Sequence, residues 1–288
     1  MAASARHDRR KAENALGALL DAVLDGQARA IAAVGGARAD IARAAECAAA
    51  AIRGGGRLVY LGAGASGGAA FQDYAEMPGT FGLAPSQIRW IGPDAPGAPY
   101  SGDGEDDVSA GRAAVDGLRL GARDALIAVS ASGATPYTVA GARAAKSAGA
   151  ALIALVCRSG SPLAEAADVA VVAATGEEAV SGSTRLAAGT AQKAALGAIS
   201  TLMAARLGHV HEGRMVNLSA TNAKLRERAA GIVADLAGVS PEAAGRALAG
   251  ARGSVKEAIL FAKGAHEPER LIALHGGDLG AALAALRQ

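Results

Sequence analysis

Five short apolar runs recur along the first two thirds of the chain and predict the strands of a sheet. Gly, Asp or Ser residues bound most of these runs, and helical patterns lie between most of them, as expected for buried parallel strands. The runs are residues 58–61, 88–91, 125–129, 151–156 and 169–172. The pattern predicts an α/β fold with a doubly wound, parallel five-stranded sheet.

Helical patterns flank this alternation on both sides. Residues from about 8 to 53 predict two alanine-rich helices that break near Gly35 and Gly36. A long helix is predicted from Ser181 to about Leu207, and short helices follow from about residue 223. We therefore expect a helical extension, a central sheet domain and a small helical domain. Their expected bounds are 1–53, 54–228 and 229–288.

The composition is typical of a globular protein. Of the 288 residues, 51% are hydrophobic and 19% are charged, and the formal net charge is +2. This balance gives no reason to expect binding to nucleic acid or to a membrane surface, and the apolar runs are shorter than a membrane span requires. Cys47 and Cys157 have no paired spacing, and His209 and His211 have no metal-ligand spacing. We expect a reduced, cytoplasmic protein in which these histidines are solvated or lie at a helix C-terminus.

Glycine- and hydroxyl-rich segments follow the first and third predicted strands, at 62–68 and 130–135. Glycines let backbone N–H groups turn toward an anion, and a helix start behind them adds partial positive charge. Since ligands bind at the carboxyl ends of parallel strands, the two segments predict one shared phosphate pocket. The alternative is that these are ordinary turn and capping residues, and Thr135 is expected to cap a helix that starts at Pro136.

Three glutamates are candidate acids. Glu76 lies among apolar and small residues, so it is either a surface residue or a semi-buried acid with a raised pKa, suited to proton transfer. Glu105 lies in an acidic loop before a helix, where carboxylates often complement the helix dipole, although Asp106 or Asp107 could do so alone. The third candidate is Glu178.

These segments together resemble the N-acetylmuramic acid 6-phosphate etherases, bacterial enzymes of cell-wall sugar recycling that contain a sugar isomerase (SIS) domain. The resemblance lies in the order and spacing of sequence blocks from about residue 54 to the C-terminus. The blocks are 62–82, 104–107, 131–137, 181–186, 188–193, 215–225 and 275–277. The resemblance implies a SIS sugar-phosphate-binding domain at 54–228, a homodimer, and no need for a metal or an organic cofactor.

The resemblance also implies a reaction, the removal of D-lactate from C3 of the sugar. The open-chain aldehyde makes the C2 proton acidic, a carboxylate removes it, and the ether oxygen leaves with help from an acid. Water then adds to give N-acetylglucosamine 6-phosphate. By resemblance, Glu76 protonates the departing lactate and later activates water, and Glu105 is the base at C2. The implied substrate and phosphate ligands are Ser66, Gly67, Ser130, Ser132, Gly133, Thr135, Glu178, Ser183 and Lys193.

Three positions that are usually basic in the family are neutral in this chain. They are Gly68, Ala134 and Ala187. A charge-assisted contact to a phosphate or carboxylate is worth about 1.5–3 kcal/mol, so these changes bear on a doubly anionic substrate. Arg185, Lys193 or Lys224 could supply the charge instead.

Two other classes of function remain open. A non-catalytic regulator, similar to the glucokinase regulatory proteins, would bind a sugar phosphate without turnover and associate with a partner protein. A related SIS lyase or an aldose–ketose isomerase would act on a different amino-sugar phosphate without releasing lactate. The presence of both Glu76 and Glu105 favours the carbon–oxygen lyase.

Overall fold

A five-stranded parallel sheet forms the centre of the protein. The computed structural model describes residues 2–94 and 102–287, with side chains described from residue 13 onward. The strands are β1 (Leu58–Gly62), β2 (Ile88–Ile91), β3 (Ala125–Ser130), β4 (Ala151–Val156) and β5 (Val169–Val172). They pair in the order β2-β1-β3-β4-β5. The five predicted strands and the α/β class are confirmed.

Helices cover both faces of the sheet. They are α1 (Ala2–Gly36), α2 (Arg38–Arg53), α3 (Gly64–Phe81), α4 (Val108–Asp116), α5 (Pro136–Ser147), α6 (Pro162–Ala166) and α7 (Ala187–Arg206). Successive side chains of a strand point to opposite faces. In β1, Leu58 and Tyr60 therefore enter the core formed with α2, α3 and α7, whereas Val59 and Leu61 enter the core formed with α4, α5 and α6.

The two N-terminal helices have different surroundings. The predicted break is confirmed, since α1 ends at Gly36 and α2 begins at Arg38. Helix α2 packs on the sheet, and α1 packs along α7, where Ala30 is fully buried. A row of large apolar side chains on α1 stays exposed, comprising Leu16, Leu19, Leu20, Leu24 and Ile31. Within the described ranges, no helix is both long and apolar enough to cross a membrane.

The C-terminal helices form a core of their own. They are α8 (Ala223–Ala237), α9 (Pro241–Gly250), α10 (Val255–Ala262), α11 (Pro268–Leu274) and α12 (Leu279–Leu286). A short hairpin that the sequence did not predict, β6 (Val210–His211) and β7 (Arg214–Met215), precedes them. The domain boundary at residue 229 remains a prediction, and α8 runs through that position.

One local prediction is wrong. The long helix does not start at Ser181: residues 181–186 form turns, and α7 begins at Ala187. For His209 the second of the two expected positions is found, since it lies just past the C-terminus of α7, where its backbone N–H bonds to the carbonyl of Ala204. Burial, together with the positive charge of Lys256, lowers the pKa of His209 to about 4. His209 lies where the hairpin meets the end of α3, and it hydrogen bonds to the backbone of Phe81.

Candidate functional site

A cavity of about 640 Å³ opens at the carboxyl ends of β1 and β3. The first turn of α3, the segment after β3, the turns before α7 and Glu105 line it. Its lining residues are Ala63, Gly64, Ala65, Ser66, Gly68, Glu105, Ala131, Ser132, Thr135, Gly182, Ser183, Thr184 and Arg185. The two segments that we expected to share a pocket therefore line one cavity.

Glycines allow α3 to begin directly against the end of β1. A Cβ on Gly67 would lie 2.7 Å from the carbonyl oxygen of Gly62, so a larger residue would push the helix away from the strand. The Gly67 N–H already bonds to the carbonyl of Ala63, the cap residue of α3. The preceding N–H groups, of Gly64, Ala65 and Ser66, are the ones that a helix leaves without an internal acceptor. They give this edge of the cavity a partial positive charge, which suits an anion.

Ser66 is held by hydrogen bonds from two other elements. Its Oγ accepts from the backbone N–H of Ala131, at 3.3 Å, and from Nε2 of Gln192 on α7, at 3.0 Å. Gln192 is fully buried, and its Oε1 has no hydrogen-bond partner in the described part of the chain. Our sequence interpretation missed Gln192. The sequence feature that could have revealed it is a long polar side chain on the alanine-rich, buried face of α7.

The second hydroxyl segment is shaped by bonds among its own residues. Ser130 Oγ lies 2.9 Å from Thr135 Oγ1 and accepts from the N–H of Gly133, at 3.1 Å. As predicted, Thr135 occupies the cap position of α5 and Pro136 begins the helix, but the Thr135 side chain makes no capping hydrogen bond. Of the predicted ligands in this segment, Ser132 and Thr135 line the cavity, whereas Ser130 and Gly133 are buried behind it.

Glu105 is the carboxylate that lines this cavity. Burial raises its pKa, and the negative charges of Asp106 and Asp94 raise it further. Asp107 caps α4 by accepting from the N–H of Ala110, at 2.8 Å, so the helix start does not need Glu105. The backbone of Glu105 is fixed instead, because its carbonyl accepts from the N–H of Tyr137 at the start of α5. A half-buried carboxyl with a raised pKa is suited to accept a proton.

Glu76 and Lys193 lie outside this cavity. Both are exposed, and neither lines the cavity. Glu76 follows Ser66 by ten residues on α3, which places it about 15 Å farther along the helix axis. Both charges affect the pKa of the buried carboxyl of Asp73. The charge of Lys193 lowers this pKa, and the charge of Glu76 raises it. The structure thus brings Glu76 and Lys193 to one region of the surface, away from Glu105.

Asp73 connects three elements behind the cavity and was missed from the sequence. Its Oδ2 accepts from Tyr60 Oη of β1, at 2.9 Å, and its Oδ1 accepts from Ser200 Oγ of α7, at 3.0 Å. Burial raises the pKa of Asp73, although these two hydrogen bonds oppose the shift. The sequence feature that could have revealed it is helical spacing, since Asp73 follows Ala70 by three residues and precedes Met77 by four, on the buried face of α3.

Glu178 holds the start of α7. Its Oε2 and Oε1 accept from the N–H groups of Ala187, at 2.8 Å, and Ala188, at 2.9 Å. Its predicted contact with the substrate remains a prediction, and these two bonds favour an indirect role. Glu178 lines an adjoining cavity of about 380 Å³ that shares four lining residues with the first, namely Ala131, Ser132, Gly182 and Thr184. Arg158, which the sequence interpretation did not consider, also lines it.

The three neutral positions differ in their surroundings. Gly68 lines the cavity and has open space where a side chain would project, Ala134 is exposed outside the cavity lining, and Ala187 is buried at the start of α7. Arg185 is the basic residue among those that line the 640 Å³ cavity, which we call the main cavity. In the ranges that the structure covers, no group of three or more His, Cys, Asp or Glu residues is arranged to hold a metal ion.

Comparison with known proteins identifies the family. The SIS domain model matches residues 19–157. N-acetylmuramic acid 6-phosphate etherases from Cronobacter sakazakii and Streptomyces coelicolor are 40% and 42% identical over 252 residues each. These alignments cover 85% of this chain, with 84% and 81% of the respective relatives. The etherase of Deinococcus radiodurans is 40% identical over 265 residues, which cover 90% of this chain and 87% of the relative.

Solved structures are less similar. A sugar-phosphate isomerase structure from Listeria monocytogenes is 20% identical and covers 65% of this chain and 89% of its own, with a TM-score of 0.49. A protein of Escherichia coli CFT073 in complex with A5P is 21% identical and covers 66% of this chain and 92% of its own, with a TM-score of 0.47. The assignment therefore rests on the etherases, which are about 40% identical over most of both chains. The chain belongs to the N-acetylmuramic acid 6-phosphate etherase family.

Proposed function

We propose that this protein is a carbon–oxygen lyase that converts N-acetylmuramic acid 6-phosphate into N-acetylglucosamine 6-phosphate and D-lactate. The observation that carries the proposal is one cavity that contains both an anion-binding helix start and the carboxylate of Glu105. The relatives with this activity in their names match more than four fifths of the chain.

The phosphate binds at the start of α3 in this proposal. The free N–H groups of the first turn and the hydroxyl of Ser66 face the cavity from one side, and Ser132, Thr135 and Ser183 face it from the other. Arg185 adds a formal positive charge. These groups compensate in part for the basic side chain that the family usually has at position 68, where this chain has Gly68. Hydrogen bonds to a charged phosphate are stronger than those between neutral groups.

Glu105 acts as the base. It removes the C2 proton of the open-chain aldehyde, and the electron pair of that C–H bond moves into the enolate. The enolate then forms the C2–C3 double bond as the C3–O bond breaks, and the departing lactate oxygen takes a proton from an acid. Addition of water at C3, with return of a proton to C2, completes the hydration. The raised pKa of Glu105 fits this role, since a stronger base removes a carbon-bound proton more readily.

We propose that Glu76 is the acid and that it acts in the cavity of a second copy of the chain. In its own subunit, Glu76 is exposed and lies about 15 Å along α3 from Ser66, whereas a glutamate side chain reaches only a few ångströms. Lys193 lies on the same region of the surface. The exposed row of Leu and Ile side chains on α1 is typical of a surface that a partner covers. A homodimer would therefore cover α1 and complete two sites.

A proton NMR time course in D2O tests the reaction and separates the two glutamates. With N-acetylmuramic acid 6-phosphate, the wild-type protein should release lactate and incorporate deuterium at C2 of the product. Glu105→Gln should lose both signals, by about 10²–10⁴-fold, because it removes the base. Glu76→Gln should retain C2 exchange but release lactate far more slowly.

Glu165→Gln is the matched control, since Glu165 is exposed on α6 and lines neither of the two adjoining cavities. Wild-type turnover of Glu76→Gln would contradict the role of that residue as acid. Substrate binding by the wild-type protein without any turnover would indicate the regulator instead.

We also propose a cytoplasmic location. It rests on the two thiols, Cys47 and Cys157, which are both free. Burial and the charge of Glu178 raise the pKa of Cys157 to about 11, so this thiol stays protonated at neutral pH.

A further inference from the structure

We infer that Gln192 is a positioning residue: it orients the hydroxyl of Ser66 so that this hydroxyl donates to the bound phosphate. The inference rests on the proposed function in that the phosphate belongs to the sugar substrate. It concerns a residue that lies one layer behind the cavity and makes no contact with substrate itself.

The hydrogen bonds at Ser66 leave the proton of its hydroxyl free to reach a ligand. A hydroxyl has one proton to donate and two lone pairs that accept. Both bonds to Ser66 Oγ come from N–H donors, the backbone of Ala131 at 3.3 Å and Nε2 of Gln192 at 3.0 Å. The lone pairs are therefore used on the protein side, and the proton is left to point elsewhere. Because Ser66 lines the cavity, the remaining direction leads to the ligand.

Folding stability does not explain the buried amide of Gln192. The side chain is fully buried, and no hydrogen-bond partner for Oε1 exists among the described residues. A buried polar atom without a partner costs free energy of folding. Apart from Ser200, the other buried residues of α7 are apolar and mostly alanine, so an apolar side chain of similar length would suit folding better at this position. The amide is therefore explained by the bond from Nε2 to Ser66 and not by stability.

The opposite orientation of the Gln192 amide would turn the serine proton away from the ligand. With Oε1 turned to Ser66, the hydroxyl would donate to Gln192, and the phosphate would face only a lone pair of the serine oxygen. The amide nitrogen, with two protons, would then lie where the unpaired Oε1 now lies. The observed orientation satisfies one donor of the amide and keeps the serine proton available to an anion.

The test measures binding and stability of Gln192→Met, which keeps the side-chain length but removes the amide. We expect the Kd for N-acetylglucosamine 6-phosphate, measured by calorimetry, to rise about tenfold, while Tm stays equal or increases. In turnover assays KM should rise by a similar factor and kcat should change less than about twofold. A purely structural glutamine would give the reverse result, a lower Tm with unchanged affinity.

A double-mutant cycle links the effect to Ser66. Ser66→Ala should weaken binding, and Gln192→Met in that background should weaken it no further, because no hydroxyl remains to orient. The matched control is Ser200→Ala, another buried polar residue of α7, which bonds to Asp73. It should lower Tm and leave the Kd unchanged. If Gln192→Met fails to fold, Gln192→Glu serves instead, since a carboxylate accepts from Ser66 and should weaken binding at least as much.

Several outcomes would overturn the inference. They are equal affinities of the wild type and Gln192→Met, full additivity with Ser66→Ala, or no binding of product or inorganic phosphate by the wild type. Product binding does not require the etherase reaction. A tenfold effect in a protein that releases no lactate would therefore contradict the proposed function alone, and lactate release with equal affinities would contradict the inference alone.

Discussion

At the scale of single residues, the pKa of Glu105 sets the pH range in which the proposed base can act. Burial raises this pKa first, and the charges of Asp106 and Asp94 raise it further. A base works only when it is deprotonated, so kcat/KM should fall as the pH drops through this raised pKa. The acidic limb of the pH profile should therefore lie at a higher pH than the ordinary pKa of a glutamate would give.

Asp106→Asn should move that acidic limb to lower pH. The substitution removes a negative charge that favours the protonated form of Glu105, so the pKa of Glu105 falls and the base stays ionised in more acidic solution. Profiles of kcat/KM between about pH 4 and pH 8 measure the shift. Asp107→Asn is the control, because asparagine also caps a helix and Asp107 is not a source of the shift. An unmoved limb, or equal shifts in both variants, would show that Asp106 does not tune this group.

At the scale of elements, the start of α7 depends on a carboxylate from the preceding loop. Glu178 accepts from the first two N–H groups of the helix, and Ser183, Thr184 and Arg185 precede that helix and line the cavity. A capping carboxylate also complements the helix dipole. The loop before α7 is therefore coupled to the site through the helix start.

Glu178→Gln should destabilise the protein by about 1 kcal/mol, because an amide can accept only one of the two bonds and carries no charge. Urea unfolding measures this loss, and hydrogen exchange should become faster at the N–H groups of Ala187 and Ala188. The neighbouring Glu177→Gln should have neither effect, since Glu177 is exposed. Equal stability of Glu178→Gln and the wild type would contradict the capping role.

The elements were more predictable than their boundaries and contacts. Strands such as 125–129 are buried on both faces, and a short apolar run between turn residues reveals them. The start of α7 was misplaced because its cap, Glu178, lies nine residues before Ala187, whereas sequence capping signals are local. Asp73 and Glu76 show the same limit at the site. They are three residues apart, yet Asp73 is buried and Glu76 is exposed. The difference depends on which face of α3 packs against the core, and that face is known only from the structure.

At the scale of the whole molecule, the topology brings β1 and β3 side by side, so that two segments 65 residues apart meet at one cavity. The same topology leaves Glu76 on the outside, with Lys193 and away from Glu105. No packing change within one subunit moves a residue along a helix by several turns. This is why we propose that Glu76 acts as the acid in the site of a second copy.

A mixture of two inactive variants distinguishes this arrangement from a site within one subunit. A heterodimer of Glu76→Gln and Glu105→Gln contains one site with both wild-type glutamates only if each site takes Glu76 from the partner. Random exchange of subunits makes half of the dimers mixed, and each has one active site of two, so the mixture should recover about a quarter of wild-type activity. If both glutamates acted within one chain, every site would lack one of them and activity would stay at the level of the separate variants. Mixing Glu76→Gln with the Glu76→Gln/Glu105→Gln double variant supplies the control, since no pairing there restores a site.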